Sequence, residues 1–196
     1  SDSSVTYTMT FEFNCYDPPV SAPDCATNFT NTVDPSCGNV DFSVSWDAVV
    51  GDMDSIKNPE NFEADSNLEN SDLTKALIQY EVDAIVGVAG GRLDHQIAAF
   101  TSLFESESDA ILYFDGWRAC RVNPAGLEIE LEIGTICSLM PFGKVTDVTI
   151  TGVEFELSSE DMFSGTRGVG NKVTSEIVNI AHESGDLLFI WEANEL

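Results

Sequence analysis

Ala84-Ile85-Val86-Gly87-Val88-Ala89-Gly90-Gly91-Arg92-Leu93-Asp94-His95 is an apolar run that halts at a glycine pair and continues into charge. The apolar part is short enough for a buried strand of a parallel sheet, whose strands are covered on both faces. The glycines mark a strand-to-helix turn. Ile97, Phe100 and Phe104 follow at helical spacing, and Ile111-Leu112-Tyr113-Phe114 is the next strand. Upstream, Leu73, Ala76, Leu77 and Tyr80 also recur at helical spacing, with Ser71 or Asp72 as N-cap. Further back, Phe42, Val44, Trp46 and Ala48 open an extended stretch that ends at Val50. Strand and helix thus alternate over residues 42–114, which predicts a mainly parallel sheet with helical crossovers. Val5, Tyr7, Met9, Phe11 and Phe13 alternate as a half-buried strand, and residues 14–41 read as a long loop.

The pattern changes after Asp115. Leu127, Ile129, Leu131 and Ile133 alternate with glutamates, and further apolar runs end at Leu187 to Trp191. Gly126, Gly134, Gly143, Gly152 and Gly185 punctuate them. Short strands between glycine turns, with no helical period, predict a β-sandwich or small barrel. The expected fold class is α/β plus all-β: an α/β domain over residues 1–116 and a β-sandwich over 117–196.

The 196 residues carry 34 acidic and 8 basic side chains, a net charge of -26. Nucleic acid binding rests on Lys and Arg at phosphates, so that partner is not expected. No apolar run reaches the ~20 residues needed to span a bilayer, and no membrane partner is expected. Ser1-Asp2-Ser3-Ser4 lacks the basic-then-apolar pattern of a leader. Cys15, Cys25, Cys37, Cys120 and Cys137 are odd in number and show no C-x-x-C spacing, so reduced thiols and a cytoplasmic location are expected. The sequon Asn28-Phe29-Thr30 stands without other support for secretion.

Four segments carry the chemistry. Gly51-Asp52-Met53-Asp54-Ser55 ends a buried strand with two acids at i and i+2, which can converge on a hard cation. A surface turn is the plain alternative. Glu69-Asn70-Ser71-Asp72-Leu73-Thr74-Lys75-Ala76-Leu77 opens a helix, and Gly90-Gly91-Arg92-Leu93-Asp94-His95-Gln96 is the glycine turn. The fourth is Ser138-Leu139-Met140-Pro141-Phe142-Gly143, followed by Thr151-Gly152-Val153-Glu154-Phe155-Glu156-Leu157 and Gly165-Thr166-Arg167-Gly168-Val169-Gly170-Asn171. In order and spacing, across residues 47–191, this resembles the thiamin pyrophosphokinase family.

The resemblance implies diphosphate transfer from ATP to the hydroxyl of thiamin, giving thiamin diphosphate and AMP. It implies Mg²⁺, and a homodimer with active sites at the interface. It assigns Asp52, Asp54, Asp72, Arg92 and Asp94 to catalysis. Asp52, Asp54, Glu69 and Asp72 would hold the metal, Glu69 standing where an aspartate is usual. Ser55, Gly90, Gly91, Arg92, His95 and Gln96 would lie along the nucleotide, with Asp94, His95 and Gln96 near the thiamin end. Phe155, often tryptophan in the family, would stack on the pyrimidine ring, with Gly170 and Asn171 beside it. The acidic balance suits the permanently cationic thiazolium, which an aromatic face also attracts.

Two departures support an alternative, a diverged member that binds thiamin or nucleotide without efficient transfer. Cys25-Ala26-Thr27-Asn28-Phe29-Thr30-Asn31 stands where the family has an Ala-Asp-Gly-Gly-type turn, and Asn67 stands near an expected aspartate. Ordinary structural roles compete at several positions. Asp72 also suits a helix cap, Glu69 a surface acid, Phe155 a strand core and His95 a packing role. His182 is expected to be structural. Trp46, Trp117 and Trp191 are expected in the core, and Glu128, Glu130 and Glu132 on a solvated strand face.

Overall fold

The computed structural model describes residues 48, 50–51, 66–89 and 92–193. Two helices come early, α1 (Asp72–Gln79) and α2 (Leu93–Glu105), with the short strand β1 (Ala84–Ile85) between them. Eight strands follow: β2 (Ile111–Phe114), β3 (Trp117–Arg121), β4 (Leu127–Glu130), β5 (Ile136–Thr151), β6 (Leu157–Phe163), β7 (Asn171–Lys172), β8 (Ile177–Ala181) and β9 (Ser184–Glu192). All nine join one sheet in the order β1-β2-β3-β9-β5-β8-β4, with β6 and β7 also on β5. Among the described residues only β1 and β2 pair in parallel, and every other pairing is antiparallel. Among the described residues the fold is mostly β, a curled sheet with two helices on its outer wall. The strands expected at 5–13 and 42–50 lie outside the described residues or in their first few positions.

β5 makes the curl possible. Its first half pairs with β9, its second with β8 and β6, and the register shifts between Phe142 and Thr146 and again between Val145 and Val148. Such bulges bend a strand and increase its twist. The sheet therefore closes over one core, which holds Cys120, Val122, Cys137, Leu139, Val145, Phe189 and Trp191. The outer face carries a second core, in which Leu77, Ala99 and Leu103 of the helices meet Leu112, Ala119 and Leu188. Successive side chains of a strand point to opposite faces. In β9, Leu187, Phe189 and Trp191 enter the first core, and Leu188 and Ile190 the second.

Local expectations fare unevenly. α1 buries Ala76 and Leu77 of its predicted face, while Tyr80, its C-cap, is exposed. α2 buries Ala99, Ser102 and Leu103 instead of Ile97, which is half exposed, because its inner face is set by the contact with α1 and the sheet. The run beyond Ile85 leaves the ladder at once, so the predicted six-residue strand is a two-residue one. Trp191 is buried, but Trp117 at the start of β3 is 38% exposed and is not a core residue. Glu128, Glu130 and Glu132 are exposed as expected. No helix among the described residues is long and apolar enough to cross a membrane.

Cys120 and Cys137 are free thiols, both buried in the first core. Burial pushes Cys120 up to about 12 and Cys137 up to about 11 from the ordinary 9.0. A thiolate is the reactive form, so both should resist iodoacetamide at pH 8 in the native protein and react in urea. The unfolded chain releases these protons first as pH rises. The stability they contribute is present below about 9 and is lost as pH climbs toward 11 and 12. The urea midpoint should therefore be lower at pH 10 than at pH 8, and native alkylation of either thiol at pH 8 would contradict this placement.

Candidate active site

The N-terminus of α1 lies against the last turns of α2. Ser71 caps α1, its side chain accepting the Thr74 N–H at 3.2 Å. The Thr74 hydroxyl lies 2.9 Å from Ser102 Oγ and 3.2 Å from Glu105 Oε2, within donating distance of either, which ties α1 to α2. With the cap supplied by Ser71, the carboxylate of Asp72 is left for other contacts. Lys75 Nζ donates to Asp72 Oδ1 at 2.8 Å, and its side chain is only 4% exposed. Lysine is rarely so buried unless paired.

The other side of the Asp72 carboxylate faces Gly51. A Cβ built on Gly51 would stand 2.7 Å from Asp72 Oδ2 and 2.9 Å from its Cγ, and Gly51 has φ +151. Gly51, the first residue of the first motif, is therefore packed against the second, and only glycine lets the backbone approach the acid this closely. Gly51→Ala should displace the carboxylate and strain the backbone, lowering stability by about 1–3 kcal/mol. An unchanged thermal midpoint would show that this packing is absent.

Arg92 takes the N-cap position of α2 without a capping side chain. Its Nε donates to Asp94 Oδ1 at 3.0 Å and its Nη2 to Asp94 Oδ2, a two-pronged ion pair at the surface. The Arg92 guanidinium, through these hydrogen bonds first, holds the Asp94 carboxyl below the usual carboxylate range. Asp94 also accepts the His95 N–H at 3.2 Å. Asp94 and His95 line a cavity of about 270 Å³ with Ser71, Leu73, Ala98 and Ser102. Gln96 follows in the first turn of α2, its N–H donating to Arg92 O at 3.2 Å.

The turn before α1 explains Asn67. Its side-chain oxygen accepts the Glu69 N–H at 2.8 Å and its amide donates to Asn70 Oδ1 at 2.7 Å. Asn70 in turn donates to Glu105 Oε1 at 2.7 Å. An aspartate at 67 could not donate, so asparagine suits this turn. Glu69 is exposed. Among the described residues no three His, Cys, Asp or Glu side chains form an ion cage. Asp52, Asp54 and Ser55 lie outside the described residues, as do Gly90 and Gly91.

A second group sits on the β-rich half. Phe155 lies between β5 and β6 with its side chain 68% exposed, so it is not a strand core residue. Asn171, in β7, is 8% exposed, and its carboxamide is engaged with the backbone of Phe155. Gly170 N donates to Ser138 Oγ at 3.1 Å. None of the three lines the cavity between the helices. His182 is buried, with Nε2 3.0 Å from Val122 O, a structural position as expected. The residue the sequence reading missed is Lys75. Its signal was the i, i+3 spacing from Asp72 on a helix whose other buried positions are small or apolar.

Comparison with known proteins gives the class first. Thiamine pyrophosphokinase from Bacillus subtilis superposes with a TM-score of 0.58 at 22% identity, covering 75% of this chain and 78% of that one. A thiamin pyrophosphokinase family protein from Enterococcus faecalis gives 0.60 at 19% identity, over 75% and 79%. The Candida albicans enzyme gives 0.58 at 13%, over 74% and 73%. The protein has the fold of these enzymes. The family model for the thiamin pyrophosphokinase vitamin B1 binding domain matches residues 127–187 of this chain. No curated protein matches the chain.

Proposed function

We propose that the protein transfers diphosphate from ATP to the hydroxyl of thiamin, releasing AMP. The observation that carries this reading is the packing of Gly51, at the head of the first acidic motif, against the carboxylate of Asp72. It sets the residue that precedes Asp52 and Asp54 against an acid 21 positions further along the chain, at the N-terminus of α1. Carboxylate oxygens are the donors that Mg²⁺ prefers, and Asp72, with Asp52 and Asp54, would hold it. The bound ion would neutralise charge on the phosphate oxygens.

The chain's own residues do the rest. Lys75 fixes the Asp72 carboxylate from one side and Gly51 leaves room on the other. An exposed ion pair contributes only about 0–1 kcal/mol, so Arg92 can exchange Asp94 for a phosphate at little cost. Released from Arg92, Asp94 becomes a better base and can accept the proton of the thiamin hydroxyl as the bond to phosphorus forms. His95 shapes the adjoining cavity wall. Phe155 presents a ring face for the thiamin pyrimidine. A homodimer would let the β-rich half of one copy complete the helix-side site of the other.

The alternative reading, binding without efficient transfer, rests on Asn67 serving the local turn in place of an aspartate. One assay separates the two. Protein, thiamin, ATP and Mg²⁺ should yield AMP and thiamin diphosphate in equal amounts, each dependent on the other substrate. Binding of thiamin without AMP release would favour the alternative, and neither binding nor release would end both.

A further inference from the structure

The loop between β5 and β6 is held far more tightly than an exposed loop requires. Asn171 Oδ1 accepts the Phe155 N–H at 3.0 Å and the Lys172 N–H at 2.9 Å, while its Nδ2 donates to Phe155 O at 2.9 Å. Glu154 N donates to Lys172 O at 2.8 Å, and Val153 bridges Val173. At the loop entrance Glu156 Oε1 accepts the Gly152 N–H at 2.9 Å, and Thr174 N donates to Gly152 O at 2.8 Å. Gly152 has φ +83, and a Cβ there would stand 2.3 Å from Ile177 O. All these contacts fix backbone, and what they hold out into solvent is the Phe155 ring.

We propose that Asn171 is a positioning residue that clamps the backbone of Phe155, so that the ring is a preformed face for a flat cationic aromatic ligand. This rests on the thiamin reading above and departs from the expectation that Asn171 contacts the ring of thiamin itself. The chemistry singles out asparagine. One planar group must accept two N–H bonds and donate to a carbonyl. Aspartate supplies only the acceptors, and alanine supplies neither. A ring held in place before binding loses less freedom when the ligand arrives.

The test uses the full chain and the variants Phe155→Ala, Asn171→Ala, Asn171→Asp and the Phe155→Ala/Asn171→Ala double. An aromatic stack lost from the pyrimidine of this cationic ligand should raise KM or Kd for thiamin by about tenfold. Asn171→Ala should do the same, with kcat and the KM for ATP within about twofold of the parent. The double variant should be no worse than either single, since both remove one face. Asn171→Asp, which keeps the acceptors, should recover part of the loss. Amide hydrogen exchange reads the clamp without any ligand: the Phe155 N–H should be protected in the parent and in Asn171→Asp, and exposed in Asn171→Ala.

Multiplying effects in the double variant would overturn the proposal, because Asn171 would then touch the ligand directly. Equal exchange at Phe155 with and without Asn171 would also overturn it. Should Phe155→Ala leave thiamin affinity unchanged in an active enzyme, the proposal falls and the assigned reaction stands. Should the parent protein neither bind nor convert thiamin, the assigned reaction falls, and the exchange measurement alone decides the clamp.

Discussion

Phe189→Ala is expected to lower unfolding free energy by about 3–5 kcal/mol, the range for removing a fully buried phenylalanine. Phe189 has no exposed surface and stacks on Trp191 with ring centroids 5.5 Å apart. It stands in the middle of β9, between β3 and β5, so the cavity is walled by paired backbone on both sides and can collapse little. Since whole domains are stable by about 5–15 kcal/mol, such a loss is a large fraction of the total. Leu188→Ala, the next residue and the opposite face, should cost about 2–5 kcal/mol through the helix-side core. Because one strand feeds both cores, each variant should shift a single urea transition followed by circular dichroism and by tryptophan fluorescence alike. Two separate transitions, with Leu188→Ala moving only one, would show that the cores melt independently.

Asp72→Asn is expected to lower kcat/KM for thiamin diphosphate formation by about 10²–10³-fold, the scale for losing one charge-stabilising group in an active site. Its effect on folding should be moderate, because the buried Lys75 keeps an acceptor but loses its neutralising charge. Ser71 still caps the helix, the amide oxygen can still accept from Lys75, and an acid in the first turn contributes only about 0.3–1 kcal/mol. The split between activity and stability is the informative part. A variant that melts several degrees lower and keeps its rate would mark Asp72 as a structural partner of Lys75. Near-complete loss of rate with only a moderate fall in melting temperature would place the carboxylate at the phosphates.

α1 was legible because its cap, its acidic first turn and its apolar stripe all agree over residues 71–77. β2, β8 and β9 were legible as short β-branched or aromatic runs. What the sequence hid was pairing between distant strands. Nothing local in β9 says that it lies between β3 and β5. In β3, two arginines flank Ala119 and Cys120 and interrupt the apolar alternation of a strand. Those arginines are spent on neighbours: Arg118 lies 4.2 Å over the Tyr113 ring, and Arg121 donates to the Glu107 carbonyl at 2.7 Å. Gly143 read as a turn between two strands, yet it falls inside the sixteen-residue β5, where a bend and not a reversal is needed. On the site, acids and glycines stood out by type and spacing, while Lys75 did not, since lysine on a helix ordinarily faces water. The clamp on Phe155 was invisible because it joins a side chain to backbone sixteen positions away.

The two-sided strand β9 limits how the gene can be cut. A fragment starting at residue 117 would retain every strand that encloses the inner core, yet would bare Ala119, Met140, Phe142, Leu188 and Ile190 as a continuous oily wall. Such a piece would stick to itself or to chaperones, and recovering it in isolation would call for polar replacements along that wall.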